Sequence, residues 1–95
     1  MEGNTVYILI NTYEEYDEEH NMTRGWWSTV LAASESKEKL EKTLSDRADY
    51  LFNTFGYLIC DTVSDGDELL LAGYPDDRPN VLVSYTLEIQ AHVLS

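Results

Sequence analysis

The chain has 95 residues, with 18 Asp and Glu against 6 Lys and Arg, a net charge of -12 and a pI near 4.2. That length holds one domain whose single core buries about 60 to 65% of the unfolded surface, and 43% hydrophobic with 12% aromatic residues exclude a disordered polyelectrolyte. The charge argues against direct binding to nucleic acid or to an anionic membrane, and makes a basic protein surface the natural partner.

Residues 5–13 alternate, Val6, Ile8 and Ile10 facing one way and Tyr7, Leu9 and Asn11 the other, which predicts a first strand with its β-branched set inward. Five carboxylates follow in residues 13–19, Glu14, Glu15, Asp17, Glu18 and Glu19, interleaved with Tyr13 and Tyr16. At that density they would repel one another and lose hydration in a core, so they are expected to be solvated or to face a cationic partner. Their predicted place is the tip of a β-hairpin whose loop runs about a dozen residues, longer than a hairpin needs. Residues 20–25 are turn-prone, and residues 26–33 form the returning strand with Trp26 and Trp27 on opposite faces, one under the helix and one outside.

Ser34 and Ser36 are both candidate N-caps for a helix over residues 35–55. Leu40, Leu44, Ala48, Leu51, Phe52 and Phe55 recur at spacings of three and four and draw one apolar stripe, which Gly56 ends. Glu35 with Lys39 and Glu38 with Lys42 stand at the favourable spacing on the polar face, each pair contributing about 0.3 kcal/mol.

Residues 57–63 predict a third strand, with helical continuation through residues 57–60 as the alternative, and residues 64–67 carry the Asp65-Gly66 pair that tight hairpins favour. Residues 69–74 form the fourth strand, and Pro75 and Pro79 mark residues 75–80 as a loop. From Val81 onward Val83, Tyr85, Leu87, Ile89, Ala91 and Val93 hold one face and Ser84, Thr86, Glu88, Gln90 and His92 the other, a half-exposed strand with its apolar face on the helix. The expected fold is α+β, an antiparallel sheet of four to five strands with one α-helix packed across one face in the order β-β-α-β-β-β.

Charge divides unevenly along these elements, with net -6 over residues 1–23, zero over residues 24–56 and -6 over residues 57–95. In this topology the loop after the first strand and the loop at Asp76 and Asp77 fall at one end of the sheet, with Tyr13, Tyr16 and Tyr74 beside them, and Asp65, Asp67 and Glu68 fall at the other. Tyrosine among charges is a common make-up for a protein interface, since it supplies anchor area at low entropic cost. The plainer reading of such clusters is solubility.

Other chemistries lack their patterns. Asp61, Asp65, Asp67 and Glu68 are rich in oxygen ligands, but their register is wrong for a calcium-binding loop. His20, His92 and Cys60 are isolated, which disfavours zinc and nucleophilic catalysis, and no glycine-rich phosphate loop is present. No cofactor and no enzymatic activity are expected. With one cysteine no intramolecular disulfide can form, and Cys60 beside Leu58 and Ile59 reads as a small buried hydrophobe. The early Glu2, the missing basic leader and the lack of any long apolar run predict a soluble cytoplasmic protein without a membrane span.

In size, charge and the clusters at residues 13–19, 65–68 and 76–77, the chain resembles the small acidic phage and mobile-element inhibitors of bacterial defence, including anti-CRISPR and other DNA-mimic proteins. The resemblance implies a non-enzymatic inhibitor acting in the host cytoplasm. Its carboxylates would stand where phosphates lie in the basic channel of a nucleic-acid-binding partner. The likeness involves no sequence motif, so the site residues come from the reading above: Tyr13, Glu14, Glu15, Tyr16, Asp17, Glu18, Glu19, Tyr74, Asp76 and Asp77. Two alternatives are an interaction module that forms a homo-oligomer through its sheet edge or aromatic face, and a divalent-metal-binding or hydrolytic protein. Trp26 or Trp27 with Tyr7 and Tyr57 would supply the aromatic face.

Overall fold

The computed structural model describes residues 4–64 and 67–94, with residues 60–64 as backbone. Its elements are β1 (Asn4–Asp17), β2 (Met22–Ser34), α1 (Lys37–Thr54), β3 (Ile59–Ser64), β4 (Glu68–Gly73) and β5 (Val81–Leu94). All strands pair antiparallel in one five-stranded sheet ordered β2-β1-β5-β4-β3, with α1 across one face. The α+β fold and its element order are therefore those expected. The Asp65-Gly66 turn and the Cys60 and Asp61 side chains lie outside the described residues.

The strand that sets the faces is β5. Its alternation buries Val83, Tyr85, Leu87 and Ile89 against the helix, and in its register with β1 these stand opposite Glu15, Tyr13, Asn11 and Leu9. Directly opposed residues in an antiparallel pair share a face. Leu9 and Asn11 are accordingly fully buried, while Val6, Ile8 and Ile10 are half-buried on the face away from the helix. This reverses the expected inward set. β-branched residues favour a strand, but they do not choose which face the helix covers.

The long acidic hairpin loop is also absent. β1 continues through the acidic residues to Asp17, and only residues 18–21 turn. β1 has β2 on one side and β5 on the other, so its backbone amides and carbonyls are held in ladders along most of its length. That satisfaction outweighs the poor strand propensity of Asp and Glu. Asn21 closes the turn at φ 55°, a left-handed conformation that asparagine tolerates better than most side chains.

Helix α1 starts two residues later than expected, with Ser36 as N-cap accepting from the Lys39 amide at 3.4 Å. Lys37 then pairs with Asp67 at 3.0 Å, tying the helix start to the β3-β4 connection. Leu40, Leu44 and Leu51 are buried, but Phe52 is 51% exposed and drops out of the predicted stripe. The expected Glu35-Lys39 and Glu38-Lys42 pairs do not form among the described residues; Lys42 meets Asp46 at 3.5 Å. At the other end Phe55 caps the helix by donating to the Leu51 carbonyl at 2.9 Å and stacks on Tyr85. The helix thus covers only the middle of a molecule measuring 54 × 25 × 18 Å. Ala91 and Val93 lie beyond its reach and are exposed despite their alternation.

Candidate functional site

Two connections meet at the far end of β1. The Glu18 amide donates to the Asn80 carbonyl at 2.9 Å, binding the β1-β2 turn to the loop that enters β5. Tyr74 Oη donates to Glu18 Oε2 at 2.8 Å and Asn80 Nδ2 donates to Glu19 Oε2 at 3.3 Å. Glu14, Glu15, Asp17, Glu18, Glu19, Asp76 and Asp77 therefore gather at one end of the sheet, as the topology predicted. Asp67 and Glu68 stand apart but do not reach the opposite end as expected, because β4 is short and Glu68 faces Glu88, whose partner Ile10 is at the middle of β1.

The strand alternation sorts these acids into two kinds. Glu15 and Asp17 share the helix side with Val83 and Val81, and each has an internal cation. Arg78 Nη1 donates to Glu15 Oε1 and holds that carboxyl below the usual carboxylate range. Asp17 is buried, contrary to the expectation that every carboxylate here is solvated or faces a partner. His20 Nδ1 lies 2.8 Å from its Oδ2, the His20 amide donates to Oδ1 at 3.1 Å, and Arg24 Nε donates to Oδ2 at 2.8 Å. These bonds bring its pKa down to about 2 against the opposing effect of burial. Glu14 and Tyr16 point to the open face, Tyr16 Oη donating to Asn21 Oδ1 across the turn. Glu14, Glu18, Glu19, Asp76 and Asp77 have no cationic partner among the described residues, and the last four are exposed.

The tyrosines differ in the same way. Tyr13 belongs to an aromatic ladder across the helix-side face, stacked on Trp27 at 5.4 Å and edge-on to Tyr85 at 5.0 Å. Burial, reinforced by the Glu15 carboxylate, pushes its hydroxyl up to about 12. Trp27 takes the helix-side face, as one of the pair was expected to, but it lies 42% exposed at the edge, while Trp26 is 63% exposed on the open face. Tyr74 is exposed, its hydroxyl held in the protonated form by Glu18. Tyr74 lines a cleft of about 500 Å³ together with Tyr57, Ile59, Ala72, Leu82 and Asp76. Local patterns predict Tyr57, Ile59 and Leu82 in strands and carry no sign that they line a common concavity; Tyr57 lies instead in the turn before β3. Arg24 and Arg78 were equally hidden as internal counter-ions, although Arg78 stood out as the lone base after residue 56.

Among the described residues no three His, Cys, Asp or Glu side chains come together as a metal site. No helix among them is long and apolar enough to cross a membrane. No protein-family model, no curated protein and no solved structure matches the chain.

Proposed function

We propose that the acidic end of the sheet docks onto a basic protein surface, and that the chain acts as a non-enzymatic inhibitor of a nucleic-acid-binding partner in the manner of a DNA mimic. The observation that carries this reading is the set of five carboxylates without an internal cation, Glu14, Glu18, Glu19, Asp76 and Asp77, placed at one end around Tyr16, Tyr74 and the apolar cleft. A folding requirement accounts for Glu15 and Asp17, whose charges are matched inside the molecule. It does not account for the other five. Exposed ion pairs each contribute about 0 to 1 kcal/mol, so these carboxylates supply encounter rate and selectivity, and a partner side chain seated in the cleft against Tyr57 and Tyr74 supplies most of the affinity.

The test uses the purified chain as bait on a resin in bacterial lysate, washed at low and then at high salt. The expected capture is a basic nucleic-acid-binding protein that releases as salt rises and that duplex DNA competes away. A variant with Glu14, Glu18 and Glu19 changed to Gln and Asp76 and Asp77 to Asn folds normally and loses that capture. Unchanged affinity and an unchanged salt dependence in this variant would overturn the proposal.

A further inference from the structure

We propose that β2 is a pairing edge for a second copy of this chain, which adds its own β2 antiparallel and extends two five-stranded sheets into one of ten. The sheet has two edges of unequal kind. β3 spans 6 residues and β2 spans 13, and a long edge leaves alternate backbone amides and carbonyls without partners. Natural edges are protected by charge, proline or bulges. β2 contains no proline and one charged residue, Arg24, and residues 25–34 hold none. Its register shifts against β1 fall near its two ends, leaving residues 25–30 as a regular stretch. Along that stretch Trp26 is 63% exposed, Trp27 42% and Val30 58%.

Charge selects the occupant. A foreign basic partner is drawn to the acidic end, whereas residues 25–34 of β2 carry no charge for either sign to recognise and Arg24 is paired with Asp17. A two-fold axis makes one surface complementary to itself, and for antiparallel strands that axis stands perpendicular to the sheet, so paired residues share a face. The axis that overlaps all of β2 passes through Ser28. It sets Trp26 against Val30 of the second copy and Trp27 against Thr29 of the second copy, aromatic and β-branched pairs of the kind that stabilise sheets. The same arrangement places the two acidic turns at opposite ends of the shared edge, about 40 Å apart at the rise of a strand. That is several times the Debye length of about 8 Å at physiological salt, so the net charge of each copy opposes pairing only weakly. A single strand-to-strand contact sits at the small end of protein interfaces, below about 1,200 Å², and gives a reversible dimer.

Sedimentation velocity of the full chain over a dilution series, at low and at physiological salt, tests this. The expected result is a reversible monomer-dimer equilibrium that strengthens as salt screens the like charges. Val30→Lys and Trp26→Lys each alter an exposed side chain, and each abolishes the dimer with the circular dichroism spectrum unchanged. Ser28→Cys lies on the axis and forms a disulfide-linked dimer on mild oxidation, whereas Ser45→Cys on the exposed surface of α1 does not. A monomer at every concentration, a dimer that survives both lysine variants, or equal cross-linking of the two cysteine variants overturns the proposal. So does protection of the β2 amides from hydrogen exchange only when a basic partner is added, which would assign the edge to that partner.

Discussion

Replacing Asn11 with leucine should stabilise this protein. Asn11 is fully buried on the helix-side face of β1, opposite Leu87 and Thr29, and neither its Nδ2 nor its Oδ1 has a hydrogen-bond partner among the described residues. A buried polar group left in that state costs about 1 to 3 kcal/mol. Leucine carries the same number of side-chain heavy atoms in a similar branched arrangement, so repacking should cost less than about 1.5 kcal/mol. The added burial of apolar atoms works in the same direction as the removed penalty. The expected net gain is about 2 kcal/mol, which in a domain of this size raises the melting temperature by about 10 °C. Urea unfolding followed by circular dichroism measures it, with an unchanged m-value showing that the gain belongs to the native state. Asn11→Asp is the control in the opposite direction, since it places a charge where even an amide lacks a partner. An Asn11→Leu variant that is no more stable than the parent would refute the argument.

Other expectations come from the acidic end and the β4 terminus. Asp17 has its pKa lowered to about 2, so its contribution to stability is complete above the ordinary aspartate value of about 3.9 and is lost as pH falls towards about 2. Asp17→Asn should therefore reduce stability at pH 6 and flatten the fall in urea midpoint across the acid range; a fall as steep as the parent's would place the acid sensitivity elsewhere. At Gly73 an added Cβ would lie 2.0 Å from the Tyr57 carbonyl oxygen and 2.8 Å from its carbon, and neither backbone atom can give way cheaply. Gly73→Ala should cost about 3 kcal/mol in thermal unfolding, while Gly56→Ala, where nothing lies within 4 Å, should not show that steric cost.

Much of the architecture was legible because its signals are local. The alternation of β5 and the three- and four-residue spacing of Leu40, Leu44, Ala48 and Leu51 each depend on the period of one element, and all the residues they require are neighbours in the chain. Even the gathering of Asp76 and Asp77 with the β1-β2 turn followed from chain direction alone. The cleft was not legible, because Tyr57, Ala72 and Leu82 come from separate segments whose approach depends on strand pairing.

The acidic segment lies beyond the limit of such local signals. Composition alone leads to the expectation that all five carboxylates within residues 13–19 meet solvent or a partner, and Asp17, buried and paired inside the molecule, departs from it. Which acids meet which was decided by the register of β1 against β5. Because Leu87 and Ile89 must face the helix, their partners Asn11 and Leu9 must face it too, and four and six residues beyond Asn11 the carboxylates Glu15 and Asp17 fall on the same side. Those two then need Arg78 and Arg24, while Glu14 is turned to the open face and Glu18 and Glu19 to the solvent-exposed turn. Sequence sets the period of each strand. Only pairing with a neighbour of stronger amphipathic pattern decides which of its two faces is inside, because a strand's own propensities are the same whichever way it is turned.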